Sequence, residues 1–227
     1  MTTGECVRAR AADGSFVRLR DWDLRQRPDL RAEMLRPPRS VRRLSSADGA
    51  RLVDLARGAM VGRSRDLDAF AYGNADDCWL VDDGDGLAFA LNGVARGRRA
   101  PVAAIYGGLM LAGGIPVGYL QADIVGRSAA LSFNTFETFR GGEAAWNLGR
   151  LLAVLRHVFG ADAFSIEPYQ LGRGNDEGID SGAWWFYFKL GFRPRAAAAR
   201  QQADAELARI KRRAAHRSSA ATLRRLA

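Results

Sequence analysis

The spacing of hydrophobic positions changes along the chain, and these changes predict the order of its elements. Over residues 47–61 the apolar side chains recur every three or four residues, which predicts a helix behind a serine cap. Cys78–Val81 and Leu87–Val94 are then predicted as short strands joined by the acidic, glycine-containing turn at residues 82–86. The central region is therefore expected to begin with a helix and a hairpin.

The next apolar run is predicted as a long hairpin that is buried on both faces. Its strands are Ala103–Leu111 and Ile115–Val125, and a glycine turn joins them. Residues 100–122 carry no charge, so length alone would permit a membrane span. Two prolines and five glycines in this stretch favour a bent sheet over a helix, and no membrane association is expected.

A third strand, Ala130–Thr138, precedes a change to the helical period. The apolar side chains of the following helix share one face, and Gly160 ends it; they are Ala145, Leu148, Leu151, Leu152, Leu155 and Phe159. Three further elements are predicted downstream: a short strand at Ala163–Pro168, a polar glycine-rich loop at residues 169–180, and a strongly aromatic helix at Gly182–Leu190.

The two ends of the chain differ from its middle. Residues 1–45 show no sustained period beyond a short strand at Ser15–Leu19, so they are predicted as an Arg-rich extension of a domain at 46–195. Residues 196–227 are predicted as a basic tail of one or two helices with a break near His216. The ends carry net charges of +5 and +6 and the middle −2. Because neither end interleaves aromatic residues with arginine, nucleic-acid binding is not expected.

Few residues are available for metal or disulfide chemistry. Cys6 and Cys78 are too few for a disulfide framework and are not spaced as metal ligands, so a reducing, cytoplasmic setting without a bound metal is expected. With only His157 and His216 in the chain, a multi-histidine metal centre is excluded. His157 falls within the helical pattern, where a surface or packed histidine is expected rather than a general base.

Two segments between residues 100 and 195 carry a family resemblance. The first runs Phe139-Arg140-Gly141-Gly142-Glu143-Ala144-Ala145, and the second runs Ala183-Trp184-Trp185-Phe186-Tyr187-Phe188-Lys189-Leu190-Gly191-Phe192. They resemble the pyrophosphate loop Arg/Gln-x-x-Gly-x-Gly/Ala and the ending Ala-x-x-x-Tyr-x-Lys-Leu-Gly-Phe of the GNAT superfamily of acyl-CoA-dependent N-acetyltransferases. The order of the predicted elements is similar as well.

The resemblance implies an α/β (α+β) fold with a GNAT-like central, mixed but mostly antiparallel sheet flanked by helices. It implies an N-acyltransferase that transfers an acyl group, typically acetyl, to an amine of a small molecule or a protein. The co-substrate would be acetyl-CoA or another acyl-CoA. Its pyrophosphate would be bound by the backbone of Phe139, Arg140, Gly141 and Gly142 and of the helix start, Ala144 and Ala145.

The same resemblance implies catalytic residues. Tyr187 stands where the family has the tyrosine that protonates the leaving thiolate, and its spacing to Gly191-Phe192 favours this role over that of a core aromatic. Glu137 is the first candidate for the base that deprotonates the amine, and its alternative is an ion pair with Arg140 or Arg150. Glu167, at a strand end, is the second candidate.

The departures from the family pattern leave alternatives open. If Arg140 is the first position of the loop consensus, Glu143 stands where the family has its central glycine; if the register shifts by one, Gly142 and Ala144 fit but Phe139 replaces the Arg/Gln. Asp180 stands where an asparagine is common, and the loop at residues 169–180 is longer than usual. The chain is therefore also compatible with a GNAT-like module that uses another acyl or aminoacyl donor, or with a non-catalytic binding domain. A homodimer is compatible with the sequence too.

Overall fold

The computed structural model describes residues 28–62, 68–136 and 143–227, and the backbone of residues 8–10 and 16–18. The chain divides into two compact units, Met1–Phe164 and Ser165–Ala227. The first unit contains β1 (Arg8–Arg10), β2 (Phe16–Arg18), α1 (Leu30–Leu35), β3 (Ser40–Arg43), α2 (Ser46–Val61), α3 (Asp68–Ala71), β4 (Gly73–Gly84), β5 (Leu87–Val94), β6 (Ala104–Ala112), β7 (Ile115–Val125), β8 (Ser128–Thr135) and α4 (Ala144–Phe159).

The first unit is built on an antiparallel sheet. Strands β3 to β8 are neighbours in chain order, and every pairing from β3 to β8 is antiparallel. The seventh strand, β9 (Ala163–Ile166), contains the boundary between the two units. Strands β1 and β2 form a separate antiparallel pair. The expected mixed α/β (α+β) fold, with a mostly antiparallel sheet flanked by helices, is confirmed.

Both predicted hairpins are present. β4 and β5 meet at Asp85-Gly86, and β4 begins at Gly73, earlier than predicted, with a register shift between Asn74 and Cys78. β6 and β7 meet at the predicted glycine turn, where Gly113 and Gly114 have positive φ. β8 begins two residues before the predicted Ala130 and ends at Thr135, and the last residues of the predicted strand lie outside the described part of the chain.

The core of the first unit explains which parts of these strands are covered. The apolar face of α2 packs on β4, β5 and β6 in a cluster that includes Leu52, Val53, Ala56, Met60, Cys78, Ala90 and Leu109. The expectation of burial on both faces is correct for most of β6 but wrong for β7. Gln121 and Asp123 are half-exposed, because the cover from α2 and α3 does not extend over them.

Helix α4 has the predicted amphipathic pattern and a sharp end. Its leucines at 148, 151, 152 and 155 are all buried. Complete burial of one such side chain stabilises the fold by about 1.5–3 kcal/mol. Gly160 ends the helix in the left-handed region, with φ of 69°, and its N–H donates to the carbonyl of Arg156. The centroid of the Phe159 ring lies 4.2 Å from the centroid of the Tyr106 ring on β6.

The second unit is helical after β9. Its helices are α5 (Pro168–Leu171), α6 (Asp176–Asp180), α7 (Ala183–Lys189), α8 (Ala197–Arg212) and α9 (Ala220–Leu226). The predicted loop at 169–180 is thus partly helical, because Pro168 suits a first helical turn and the Asn175 side chain accepts from Gly178 N–H to cap α6. The predicted break before α9 is confirmed, with Ser219 as its cap.

The predicted domain boundaries stay a prediction, but one part of the predicted N-terminal extension is structured. Residues 30–43 contribute α1 and β3 to the first unit. In the ranges that the structure describes, no helix is both long and apolar enough to cross a membrane. The uncharged stretch at residues 100–122 instead supplies most of β6 and β7.

Candidate active site

The predicted cofactor loop follows β8 and leads into α4. Glu137, Phe139, Arg140, Gly141 and Gly142 lie outside the described residues. The description resumes at Glu143, which occupies the N-cap position of α4 and is half-buried. Ala144 and Ala145 therefore form the first turn of this helix, as the sequence predicted.

The start of α4 is electrostatically positive. The first N–H groups of a helix have no acceptor within the helix, and the helix dipole adds partial positive charge there. Among the described residues, the N-cap residue Glu143 makes no side-chain cap hydrogen bond to α4, and the first turn after it contains no acidic residue. A helix of 16 residues that begins in this way favours an anion such as a phosphate group near its first turn.

Tyr187 lies in the middle of the aromatic helix α7. Its side chain is only 4% exposed, and its ring makes edge contacts with Phe186 and Phe192 at centroid distances of 5.1 and 5.8 Å. Burial raises the pKa of this phenol above its ordinary value of 10.0. Tyr187 therefore stays protonated at neutral pH and can act as a hydrogen-bond donor.

The Gly-Phe pair after α7 has a structural role in placing this tyrosine. Gly191 has a φ of 103°, which favours glycine because a side chain would strain the backbone. The reversal at Gly191 lets the N–H of Phe192 donate to the carbonyl of Tyr187 at 3.2 Å. The same reversal brings the ring of Phe192 against that of Tyr187. Phe192 thus contacts Tyr187 both through a backbone hydrogen bond and through its ring.

Glu167 belongs to the same unit as Tyr187. It is half-buried at the N-cap position of α5, where its side chain does not cap the helix, and α5 packs against α7. The described part of the predicted site is therefore divided between the units. Ala144 and Ala145 belong to the first unit, and Glu167 and Tyr187 to the second.

A buried arginine on α4 was not predicted as a structural residue. Arg150 is completely buried, and its Nε and Nη2 donate to the two carboxylate oxygens of Asp83 at 2.6 and 2.5 Å. Its Nη1 donates to the carbonyls of Glu33 and Arg36 at the end of α1. An arginine inside the apolar pattern of a helix was the available signal, since a buried guanidinium requires a partner.

A polar face of β7 and β8 was also missed. It consists of Gln121, Asp123, Ser132 and Asn134, which are half-buried and alternate with buried apolar residues. The alternation was present in the sequence of β7. This alternation was not interpreted as a polar face, because the long hairpin was predicted to be buried on both faces.

Other reactive side chains of the first unit have structural partners. Tyr106 donates its hydroxyl to the carboxylate of Asp77 at about 3 Å, and burial, followed by this bond, raises its pKa to about 12. Cys78 is fully buried, and burial, with a smaller contribution from Asp77, raises the pKa of its thiol to about 11. Cys78 therefore stays a thiol and is a poor nucleophile at neutral pH.

His157 lies on the exposed side of α4, as predicted for a surface histidine, with Nδ1 2.7 Å from the carbonyl oxygen of Ala153. Within the residues that the structure describes, no group of three or more His, Cys, Asp or Glu side chains could hold a metal ion.

A scan against protein-family models, a search of curated proteins and a search of solved structures each returned no match.

Proposed function

We propose that this protein is an acyl-CoA-dependent N-acyltransferase that uses acetyl-CoA or another acyl-CoA and a small-molecule or protein amine. The observation that carries the proposal is the start of the 16-residue helix α4, which is the next described element after the last hairpin-connected strand of an antiparallel sheet. The N–H groups of that helix start offer a site for the pyrophosphate of coenzyme A. The small number of cysteines supports a reducing, cytoplasmic location for this activity.

The proposed reaction joins the amine nitrogen to the thioester carbonyl carbon and breaks the carbon–sulfur bond. Backbone N–H groups of β8 polarise the carbonyl oxygen. Glu137, or Glu167 as the second candidate, accepts the proton that the amine loses. The loop from Phe139 to Gly142, together with Ala144 and Ala145, binds the pyrophosphate. Tyr187 donates a hydrogen bond to the departing thiolate.

The raised pKa of Tyr187 sharpens its proposed role. An ordinary thiol has a pKa of about 8.5, so a thiolate is too weak a base to deprotonate a phenol whose pKa lies above 10. Tyr187 would therefore stabilise the thiolate through a hydrogen bond and keep its own proton. The thiol proton then comes from the amine, by way of the carboxylate or solvent.

Acetyl-CoA titration tests the proposal directly. Calorimetry is expected to show saturable heat, and the melting temperature is expected to keep rising with the logarithm of the ligand concentration once that concentration exceeds Kd. Ala145→Glu introduces a carboxylate at the start of α4 and is expected to weaken binding about tenfold, whereas Ala145→Gln is the matched neutral control. Equal affinities of both variants for acetyl-CoA would show that the start of α4 is not part of the binding site.

Tyr187→Phe tests the chemical step. The variant is expected to bind acetyl-CoA with unchanged affinity and to transfer the acyl group about 10²-fold more slowly, as is typical when one donor to a developing charge is removed. Unchanged turnover would exclude Tyr187 from the mechanism. Failure to bind acetyl-CoA, with transfer from another thioester or an aminoacyl ester, would instead favour the alternative donor. Absence of transfer from every donor would favour a binding domain.

A further inference from the structure

The end of helix α8 concentrates positive charge in a stretch without acids. From residue 207 to residue 227 the sequence contains no Asp or Glu. Four exposed cations lie in the last turn of α8 and in the turn that follows it, and we call them the basic end of α8: Lys211, Arg212, Arg213 and Arg217. Within the described part of the chain none of the four forms an ion pair. Contacts among the described residues therefore leave this charge uncompensated.

Glu206, the acidic residue nearest to the basic end in the sequence, is already engaged. Its buried carboxylate accepts from Arg209 Nη1 at 2.6 Å and from the Ser218 hydroxyl at 2.9 Å, and its Oε2 lies 3.1 Å from His216 Nε2. The Ser218 oxygen in turn accepts from the indole N–H of Trp185 on α7 at 3.0 Å. Glu206 therefore anchors the segment that follows α8 instead of pairing with the basic end.

The turn after α8 is ordered by its own hydrogen bonds. The N–H of His216 donates to the carbonyl of Arg213 at 2.8 Å, and Arg217 Nη1 donates at 2.8 Å to the carbonyls of Ala214 and His216. This turn keeps neighbouring members of the basic end within about 10 Å of one another along the backbone. At 0.1 M salt, charges are screened only beyond about 10 Å, so these cations repel each other. A bound polyanion would relieve the repulsion.

Most hydrogen-bond donors of the basic end have no acceptor in the described part of the chain. Arg212 uses only Nε, which donates to the carbonyl of Ala208 at 3.4 Å, and Arg217 uses only Nη1. An arginine carries five N–H donors and can bind a phosphate with two of them at once. The negative end of the helix dipole stabilises Lys211 and Arg212, but Arg213 and Arg217 lie beyond the last helical turn. The dipole therefore does not account for the whole basic end.

The composition of this surface indicates the kind of polyanion that it fits. Residues 211–219 contain no Leu, Ile, Val, Met, Phe, Tyr or Trp. A protein interface usually needs a large apolar or aromatic anchor, insertion into a membrane surface needs an apolar face, and a single-stranded nucleic acid needs rings on which its bases stack. A nucleic-acid duplex needs none of these, because its phosphates, at one charge per about 1.7 Å of axis, are bound by cations alone.

We propose that the basic end of α8 binds the phosphate backbone of a nucleic-acid duplex, independently of base sequence. The arginines donate to phosphate oxygens, and Lys211 adds a point charge. Nucleic-acid binding was not expected from the sequence, because neither end of the chain interleaves aromatic residues with arginine. That argument applies to single strands, since a duplex keeps its bases stacked inside. The inference goes beyond the proposed acyl transfer and does not depend on it.

The test is the binding of the full chain to a fluorescently labelled DNA duplex of about 20 base pairs, measured by anisotropy between about 50 and 200 mM salt. Four phosphate contacts are expected to make log Kd rise with the logarithm of the salt concentration, with a slope of about 3–4. A second duplex of unrelated sequence is expected to bind with the same affinity. A single strand of the same length is expected to bind more weakly, because its charge density is lower.

Arg212→Gln combined with Arg213→Gln removes two of the four cations. This variant is expected to lower the slope by about two and to weaken binding at about 50 mM salt at least tenfold. Arg212→Lys combined with Arg213→Lys keeps both charges and is expected to keep the slope. The control, Arg195→Gln with Arg200→Gln, removes the same charge near the start of α8, and Arg200 lies about 18 Å along the helix from Arg212 at about 1.5 Å per residue. Its slope is expected to stay unchanged.

Four results would overturn the assignment. The first is an equal slope and affinity of the double glutamine variant at the end of α8 and the unmodified chain, with the fold intact by circular dichroism. The second is an equal loss in the control, which would assign binding to net charge alone. The third is no duplex binding at about 50 mM salt. The fourth is tighter binding to the single strand, or to vesicles that contain phosphatidylserine, than to the duplex. Acetyl-CoA binding is expected to be the same in all these variants, so a failure of the proposed acyltransferase function leaves this test unaffected.

Discussion

The two units each contain a charged cluster that holds a peripheral segment, and the clusters differ in burial. In the first unit Arg150 and Asp83 are both completely buried and connect α4, β4 and the end of α1. In the second unit Glu206 on α8 accepts from Arg209, His216 and Ser218, and the latter two precede α9. The His216 and Arg209 side chains are 27% and 59% exposed.

This difference in burial decides how each cluster responds to change. A fully buried ion pair has no water to replace a missing partner, so the remaining charge is left in a medium of low polarity. In the second unit, water can reach the partners of Glu206 and replace part of what they supply. We therefore expect the Arg150 cluster to be sensitive to mutation and the Glu206 cluster to be sensitive to pH.

The largest expected effect is that of Arg150→Met. It leaves the buried carboxylate of Asp83 with only the guanidinium of Arg36, which lies 3.8 Å away and whose side chain is 43% exposed. The free energy of unfolding of the first unit is therefore expected to fall by about 3–5 kcal/mol. Denaturant unfolding measures this change. The double variant Arg150→Met with Asp83→Leu is expected to recover most of the loss, because no buried charge remains. A loss below about 1 kcal/mol in the single variant would contradict the assigned role.

Glu206→Gln is expected to cost less and to change the pH dependence. The hydrogen bond from His216 is the largest cause of a lowered pKa of Glu206 in the folded chain, compared with its ordinary value of 4.5. The folded state therefore gains stability above the unfolded pKa and loses it as the pH falls through the folded pKa.

Denaturant unfolding is expected to show about 1–3 kcal/mol less stability for Glu206→Gln than for the unmodified chain at neutral pH. As the pH falls into the acid range, the free energy of unfolding of this variant is expected to decrease less steeply than that of the unmodified chain. Asp204→Asn, which removes an exposed acid from the same helix, is the control, and its free energy of unfolding should fall at acid pH as steeply as that of the unmodified chain. If the free energy of unfolding of all three chains fell equally steeply at acid pH, Glu206 would not be the cause of the pH dependence.

Gly149→Ala tests how closely α1 approaches α4. An added Cβ at Gly149 would lie 2.8 Å from the Cβ of Glu33 on α1, so α1 would have to move. The expected loss of unfolding free energy is about 1–2 kcal/mol, in spite of the better helix propensity of alanine. Gly58→Ala on α2 meets nothing within 4 Å and is expected to stabilise by about 0.5–1 kcal/mol. Opposite signs for the two variants in denaturant unfolding would confirm the close contact.

The smallest expected effect on stability is that of Tyr187→Phe. Within the described residues the Tyr187 hydroxyl has no hydrogen-bond partner, so its removal is expected to change the free energy of unfolding by less than about 0.5 kcal/mol. Because the same variant is expected to slow acyl transfer, it separates stability from activity. A loss above about 1 kcal/mol would indicate that the hydroxyl is structural.

The parts of the fold that could be predicted have strong local patterns. Helices α2, α4 and α7 and both hairpins follow from period, caps and glycine turns, which act between residues close in the chain. Helix α1 was missed because it has six residues and buries none of them. Its place depends on Arg150, more than 100 residues away in the chain, and a local pattern contains no such information.

The candidate site shows the same division. The aromatic helix with Tyr187 and the reversal at Gly191 could be predicted from the sequence alone, because the helical period and the need for positive φ are local properties. Three features became visible only in the folded chain: the burial of Tyr187, the ion pair between Arg150 and Asp83, and the partial exposure of Gln121 and Asp123 on the sheet. Burial and ion pairing depend on which distant elements pack together, and that packing is a property of the whole folded chain.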